Sequence, residues 1–497
     1  MDIDQLREDA AAGTLSIDRL IGVLAAQQQL LADQQARIEE LEAIIRSKNP
    51  TERLEQSYSE QAEQQRAEER RSGKKRKRKQ KSKRRGRIST ADKIKLAERT
   101  QAVYPEDIDP QQCRFSHTRV AWRLEDGRAI LIAYDIHRKG NRYGQPAGLI
   151  GRGEFGIEII VAIAYQVYCL GLSIDKACAV LSFFQQLKLR KSQADALLNQ
   201  LARAWEDEFD ALCTLLANSA VVHTDETSWS INSVWAFLND RLTVLFYGVH
   251  KDGATRAQIL DKETFAGVLI SDNAAVYQGF STAQKCWAHL LRKAIRLTLQ
   301  EPDNATYREF ADRLLEIYRS AKRVAADGRY SATGRQARVS ELDDEIVKLC
   351  GPRWFDEDTG GTEVENDYRR LRSEIMRLML NQELFVFVVE PAVDGNNNAS
   401  ERQLRGDALA RKTGRTSKTV RGAKRRSVIS SVLHSIGRQL EVFTLESVIA
   451  DIRQSMSQTV ARFRSQVNAR GLTSTAEPRD GPVASSLIDR LIRATES

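Results

Sequence analysis

The chain has 497 residues, enough for roughly two to four domains, and 41% of them are hydrophobic, which suffices for real cores. Lys and Arg (76) exceed Asp and Glu (67) by a net charge of +9, concentrated in blocks, which indicates a polyanionic partner. Six widely spaced cysteines without a CxxC pair argue against a disulfide framework. No apolar run reaches the ~18 residues of a membrane span, and the acidic start is unlike a secretory signal. We therefore expect a cytoplasmic protein with no membrane partner.

Aliphatic residues recur every seven positions near the start of the chain. They are Ile17, Leu24, Leu31, Ile38 and Ile45. The pattern predicts a coiled-coil helix over residues 1–50, through which the chain forms homo-oligomers. The alternative is a single amphipathic helix that packs on the rest of the protein.

A dense basic block lies within residues 51–99, which we predict to be a disordered linker. The block runs from Lys74 to Arg85. Its like charges repel one another, so it should stay disordered until it meets phosphate; the alternative is a solvated linker. The residues that we expect to bind DNA here are Lys74, Lys75, Arg76, Lys77, Arg78 and Lys79.

Residues 100–150 predict a small β-hairpin module, with strands at 118–124 and 129–136. Residues 151–217 have a helical pattern, in which Ser173 is a plausible N-cap. Two of the short helices here are either a helix-turn-helix or an antiparallel packing pair.

The pattern then changes to an α/β type over residues 218–289. The predicted strands are 220–225, 234–238, 242–249 and 267–272, with a helix at 254–260 and either a strand or a helix start at 285–289. This order suggests an RNase H-like core, first part. We expect a helical insertion at 290–390, a return to the core with a Glu-bearing helix and basic tract at 391–440, and a helical tail at 441–497, with one amphipathic helix over 428–452.

Three carboxylates stand out in this region. Asp225 and Asp272 are each predicted at the C-terminal end of an apolar strand, where α/β sheets hold ligands, and Glu401 lies on a helix among arginines. Such a trio can bind two Mg²⁺ ions, with Mn²⁺ as an alternative, for in-line attack on a phosphodiester. Each residue also has a structural interpretation. Asp225 could bond Thr227 in a turn, Asp272 could cap a helix, and Glu401 could form a capping box with Asn398.

Two further residues are auxiliary candidates. Glu226 follows Asp225, so in a strand it points to the opposite face. His289 could position a phosphate or the attacking water, or could be a histidine packed under a helix start. Basic residues on and after the helix of Glu401 are expected to hold phosphates. They are Arg402, Arg405, Arg411, Lys412 and Arg415.

Four motifs in this order resemble the DDE transposases of the insertion-sequence-66 family. They are His223-Thr224-Asp225-Glu226-Thr227, Ser271-Asp272, Cys286-Trp287-Ala288-His289-Leu290-Leu291-Arg292 and Asn397-Asn398-Ala399-Ser400-Glu401-Arg402-Gln403-Leu404-Arg405. The resemblance implies a DNA transposase of a bacterial insertion sequence that cuts element ends and joins them to target DNA. It implies catalytic, metal-ligating roles for Asp225, Asp272 and Glu401. It also implies double-stranded DNA and helper proteins as partners, and association with the nucleoid.

The chain departs from the family pattern at several positions. Only Cys113 and His117 stand where the family often has the paired cysteines of a zinc-binding module, so we expect no zinc. Asn273 replaces a usual glycine, and the block from Lys74 is richer than the resemblance leads us to expect. Two other functions compete with the transposase: a catalytically inactive DNA-binding accessory or decayed relative, and a structural coiled-coil protein with an RNA-binding arm. Neither needs the three carboxylates.

Overall fold

The computed structural model describes residue 29 and residues 88–352, 361–457 and 462–472. The basic block from Lys74 to Arg85 and, apart from residue 29, the predicted coiled coil lie outside the described residues. The linker predicted to reach residue 99 is wrong over its last part. Helix α1 (Thr90–Lys95) lies there, capped by the Ser89 side chain, which accepts a hydrogen bond from the Asp92 N–H.

A small sheet follows α1. Its strands are β1 (Arg99–Val103), β2 (Arg114–Glu125), β3 (Arg128–Lys139) and β4 (Arg142–Tyr143). β2 and β3 form the predicted hairpin, longer than expected, and β1 adds to it parallel to β3. Asp126 and Gly127, at the turn, both have positive φ (48° and 76°), as a tight two-residue hairpin turn requires.

Four helices come next and build the main core against one face of a second sheet. They are α2 (Ile157–Ala164, extended by a π-helical turn over Tyr165–Cys169), α3 (Ile174–Phe184), α4 (Lys191–Ala204) and α5 (Glu206–Ala217). Ser173 caps α3, as the sequence predicts, by accepting from the Lys176 N–H at 3.2 Å. Both α3 and α4 bury one face in the main core, through residues such as Leu181 and Leu198.

The second sheet has five strands. In chain order its region contains β5 (Val221–Ser228), β6 (Ser233–Leu238), β7 (Thr243–Val249), helix α6 (Gly253–Ile259), β8 (Val268–Ser271) and β9 (Ala283–Lys285). The spatial order is β7-β6-β5-β8-β9. β5, β6 and β7 are antiparallel, whereas β8 pairs parallel to β5 and β9 parallel to β8. The sheet thus changes from a meander to parallel strands at β5.

The next helices form a core of their own, which meets the sheet at Ile270 of β8. They are α7 (Trp287–Gln300), α8 (Ala305–Ala326), α9 (Ala332–Cys350), α10 (Glu363–Leu380) and α11 (Val386–Val389). The uncertain stretch 285–289 is therefore the end of a strand followed at once by the start of a helix.

The chain then returns to the sheet through α12 (Asn398–Lys412) and α13 (Val420–Gln439), followed by α14 (Leu445–Ser457) and α15 (Arg462–Ala469). The single helix predicted over residues 428–452 is wrong. α13 ends before a new N-terminus, where the Thr444 side chain accepts from the Ser447 N–H at 3.2 Å. None of the helices in the described ranges is long and apolar enough to span a membrane.

Three serines of α13 cover the exposed edge of β7. Backbone N–H groups of β7 donate to hydroxyls of α13 in the pairs Thr243–Ser435, Leu245–Ser431 and Tyr247–Ser427, at 3.0, 2.8 and 2.9 Å. Residues four apart are about 6 Å apart along a helix axis, and residues two apart are about 6.6 Å apart along a strand. The spacing of the serines on α13 therefore matches the spacing of the N–H groups on β7. The helix thereby satisfies donors that an open sheet edge would leave unpaired.

Candidate active site

Asp225 lies inside β5, three residues before its end at Ser228. The expectation that it ends a strand is wrong, because β5 continues in antiparallel pairing with β6. Asp225 pairs directly with Ala236, which packs in a cluster with Leu404 of α12. Opposed residues of an antiparallel pair share a face, so the Asp225 side chain lies on the face that α12 covers.

Asp272 directly follows the last residue of β8, as predicted. The parallel register pairs His223 of β5 with Ile270 of β8. Asp225 and Asp272 are each two residues further along, so the register directs both toward the same face, and the charge of Asp272 contributes to the raised pKa of Asp225. One Asp272 oxygen, Oδ1, accepts from the Ala274 N–H at 2.9 Å and shapes the turn that follows. The short 3₁₀ helix after it has Ala274 as its N-cap, so Asp272 is not a helix cap.

Asp225 lies within reach of the charges of several other carboxylates. Its pKa is raised from 3.8 to about 7, chiefly by burial and then by the charges of Glu226, Asp272 and Glu401. A hydrogen bond of 2.9 Å from the Glu226 N–H opposes the rise. The charges of Asp272 and Glu401 thus reach Asp225, and the charge of this buried carboxyl is costly without a cation nearby.

Glu401 lies in the first turn of α12, but the capping-box interpretation is wrong. The N-cap is Asn397, its side chain makes no cap bond, and Asn398 is already helical. The Glu401 carboxylate instead turns toward α7. Its Oε1 accepts from Arg292 Nη2 at 2.6 Å and lies 3.6 Å from His289 Nδ1.

Asn397, at the start of α12, is fully buried and forms hydrogen bonds to neighbouring elements. Its Nδ2 donates to the Thr224 carbonyl at 2.7 Å, and its Oδ1 lies 3.2 Å from His223 Nδ1. Its backbone N–H donates to the Cys286 sulfur at 3.1 Å. One residue therefore connects the helix of Glu401 to the strand of Asp225 and to the start of α7. Sequence analysis named Asn397 within the motif of Glu401 but gave it no role of its own.

Further contacts hold the rest of α12. Asp407 and Arg426 of α13 form a buried ion pair of 3.3 Å, and the Tyr247 hydroxyl donates to Asp407 at 2.9 Å. The Arg426 guanidinium also lies 5.1 Å from the ring centroids of Trp229 and Tyr247. A buried pair with these partners resists displacement, because separating it would leave an uncompensated charge.

Asn273, the departure from the usual glycine, connects the Asp272 turn to the helical insertion. Its Nδ2 donates to Glu374 at 2.7 Å, and Arg377 donates to its Oδ1 at 2.8 Å. Both partners lie on α10. The amide thus makes two contacts that a glycine could not make.

The auxiliary candidates differ in position. Glu226 points to the opposite face, where it accepts from the Tyr277 hydroxyl and pairs with Lys251 at 2.8 Å. His289 lies near Glu401, and burial together with the Arg292 charge lowers its pKa.

Over the described residues, one group of three or more potential metal ligands has atoms within 4.8 Å of one another: Cys286, His289 and Glu401. Sequence analysis missed this group, and Asp225 and Asp272 lie outside it.

The basic candidates of α12 and the following loop are exposed. They are Arg402, Arg405, Arg411, Lys412 and Arg415. Arg411 donates to the Ser228 carbonyl at 3.0 Å, and Arg415 donates to the Gly171 carbonyl at 3.3 Å. Arg402 and Arg415 line a cleft of about 520 Å³. The candidates Lys74 to Lys79 lie outside the described residues.

Comparison with known proteins identifies the family. No curated protein matches the chain. The family described as Transposase IS66 family matches residues 152–425, more than half of the 497 residues. The match includes β5, β8 and α12, and therefore Asp225, Asp272 and Glu401. Transposases process nucleic acid, so the family implies a DNA substrate. The chain belongs to the Transposase IS66 family.

Proposed function

We propose that the protein is a Mg²⁺-dependent transposase that cleaves the ends of its element and joins them to target DNA. The observation that carries this proposal is the strand register, which puts Asp225 and Asp272 in line with each other toward the sheet face that α12 covers. The strand order supports an RNase H-like core, with three antiparallel strands followed by two parallel ones. Such a core would present its carboxylates at one face of the sheet.

The donor set fits a hard divalent cation. Mg²⁺ prefers carboxylate oxygens, and Asp225 and Asp272 supply them at one place. Burial, and after it the charges of Glu226, Asp272 and Glu401, raises the pKa of Asp225, and a cation bound there would offset the cost of its charge. When bound, such an ion polarises the attacking water or 3′-hydroxyl and stabilises the leaving oxygen. Mn²⁺ has the same oxygen preference and is the natural substitute.

Glu401 is the proposed third ligand. To bind the metal ion it must first leave Arg292, with which it pairs in this structure. Arg292 holds its Oε1 at 2.6 Å, and the Arg292 side chain is 55% exposed. A DNA phosphate can compete for this guanidinium, since it can accept two parallel hydrogen bonds, whereas Glu401 accepts through Oε1. We infer that DNA draws Arg292 away and frees Glu401 for the carboxylate pair.

Basic residues near the site would hold the DNA backbone. Arg402 and Arg405 lie on the same helix as Glu401, and both are exposed. Arg411 and Lys412 extend this surface to the end of α12, and Arg415 extends it into the following loop. The block from Lys74 to Arg85 would add contact to any duplex without reading its sequence, because it can contact only phosphates.

The remaining parts of the proposal concern assembly and place in the cell. We infer homo-oligomers through the heptads of residues 17–45, helper proteins as further partners, and a cytoplasmic, nucleoid-associated location. The competing function is a DNA-binding accessory without catalysis. It would need the basic residues but not the carboxylates.

The experiment is a strand-transfer assay with Mg²⁺ and candidate element ends, comparing wild type with Glu401→Gln. Glutamine keeps the size of the side chain and can still accept from Arg292, so the fold and DNA binding should survive. Cleavage and joining should be lost, because a neutral amide holds Mg²⁺ poorly. Asp394→Asn is the matched control, since Asp394 is exposed and pairs loosely with His223 at 3.8 Å. Wild-type joining by Glu401→Gln would favour the accessory function.

A further inference from the structure

We propose that Cys286, His289 and Glu401 form a second metal site, which takes a thiophilic divalent cation of the Zn²⁺ class. When this site is filled, Glu401 stays turned toward α7 and cannot join Asp225 and Asp272, so the cation inhibits joining. The inhibition rests on the proposed function, whereas the binding does not. The site departs from the expectation that the protein holds no zinc.

The geometry is close to that of a metal centre. The three ligand atoms all lie within 4.8 Å of one another. Bond lengths of about 2.0–2.3 Å around a tetrahedral Zn²⁺ place its ligand atoms about 3.5 Å apart. His289 Nδ1 and Glu401 Oε1, at 3.6 Å, already have that separation. Side-chain shifts of about 1 Å would bring the remaining ligand atoms, now within 4.8 Å, to the same separation.

The donor set selects the class of cation. One sulfur, one imidazole nitrogen and one carboxylate oxygen suit Zn²⁺, whereas Mg²⁺ prefers oxygen alone. His289 Nδ1 is buried and has no hydrogen-bond partner among the described residues. A buried polar atom without a partner is unfavourable, and a metal ion would satisfy it.

Cys286 lies at the start of α7. It is the N-cap of α7, so its sulfur faces the positive end of the helix. Its sulfur accepts from the Asn397 N–H at 3.1 Å and interacts with the N–H groups of Ala288 and His289. Burial raises the pKa of the free thiol, so it stays protonated until a cation displaces the proton.

Arg292 is the group that opposes a cation here. It donates to Glu401 Oε1 at 2.6 Å, but its side chain is 55% exposed. An ion pair whose cation is exposed is only weakly stabilising, so Arg292 can turn into solvent when a divalent cation arrives. Glu401 would then face α7, not Asp225, and the carboxylate pair would lose its third member.

The binding test uses Co²⁺ as a spectroscopic probe on the full chain, stripped with EDTA and kept in excess Mg²⁺. We expect one Co²⁺ per chain with the absorption band of a cobalt–thiolate bond. Cys286→Ser should abolish the band, and His289→Gln should weaken affinity at least tenfold. Cys113→Ser is the matched control, because it removes the other cysteine with a histidine nearby in sequence, and it should change nothing. A wild type without the band, or a band that survives Cys286→Ser, would overturn the site.

The consequence is tested by titrating Zn²⁺ into the Mg²⁺-dependent joining reaction, with each variant compared to itself without Zn²⁺. Cys286→Ser should need at least tenfold more Zn²⁺ for half inhibition than wild type or Cys113→Ser. Equal sensitivity would refute the inhibitory role. A wild type that never joins DNA overturns the proposed function and leaves the Co²⁺ result standing. Joining without Co²⁺ binding overturns only the second site.

Discussion

Asp225→Asn should stabilise the metal-free protein at alkaline pH while abolishing catalysis. The pKa of Asp225 is raised from 3.8 to about 7 by burial and by Glu226, Asp272 and Glu401. Between these two pH values the folded protein binds a proton that the unfolded chain has lost. Stability therefore falls as pH rises from about 4 to 7, and the loss is complete above pH 7. Asparagine has no charge to bury, so it removes this loss.

The magnitude follows from the pKa. One pKa unit is worth about 1.4 kcal/mol, so the rise to about 7 corresponds to about 4 kcal/mol at most. Asp225 keeps partial exposure to solvent, which reduces this value. We expect a gain of about 2–4 kcal/mol in the free energy of unfolding for Asp225→Asn at pH 8. At pH 4 the variant and wild type should differ little.

The assay is chemical denaturation in EDTA at several pH values, repeated with Mg²⁺. Asp343→Asn is a matched control, because burial and the neighbouring Asp344 raise the pKa of Asp343 to about 6 on α9, away from the carboxylate cluster. Both variants should be stabilised at pH 8 in EDTA. Mg²⁺ should then stabilise wild type and Asp343→Asn but not Asp225→Asn. A wild-type stability that is flat between pH 4 and 7, or an equal Mg²⁺ effect in all three proteins, would refute the reasoning.

Two further predictions concern the support of the site and the DNA. Asn397→Ala should lower the free energy of unfolding by about 1–3 kcal/mol, since it leaves the Thr224 carbonyl unpaired, and should reduce joining because α12 loses its anchor. Denaturation and strand-transfer assays would check this against Asn396→Ala, which loses the local bond to the Asn398 N–H and a contact with Tyr318 but none with β5, and equal effects would contradict it. Deleting residues 74–85 should weaken binding to any duplex and flatten its salt dependence in a binding titration. Loss of discrimination between element ends and random DNA would show instead that the block reads sequence or shape.

Local patterns in the sequence sufficed for much of the sheet. The strands of Asp225 and Asp272 were predictable because their apolar residues form short runs bounded by polar ones, and the turn at Asp126 and Gly127 has a strong local signal. The position of Asp225 within β5 was not predictable from the sequence, because the last residues of that strand are polar. They are held in it by pairing with β6. Strand ends set by a neighbour cannot be seen in one segment alone.

Features made by distant residues were also missed. Cys286 and His289 share a helical turn, but Glu401, the third member of their cluster, is more than a hundred positions away. The serines of α13 look like ordinary polar residues until Ser431 is placed against Leu245 of β7. Asn397 resembled a turn residue because its burial depends on the strand beneath it. Each case needs tertiary contacts that composition and periodicity do not encode.

The most direct test of the metal-ligand role of Asp225 and Asp272 replaces each by cysteine and changes the ion. A thiolate is a poor ligand for Mg²⁺ and a better one for the softer Mn²⁺. Asp225→Cys and Asp272→Cys should therefore fail to join DNA with Mg²⁺ and recover joining with Mn²⁺, whereas wild type uses both ions. Glu226→Cys, on the opposite face of β5, should show no such switch. Folded cysteine variants that join equally well with Mg²⁺, or that recover with neither ion, would contradict direct binding of the ion by these two residues.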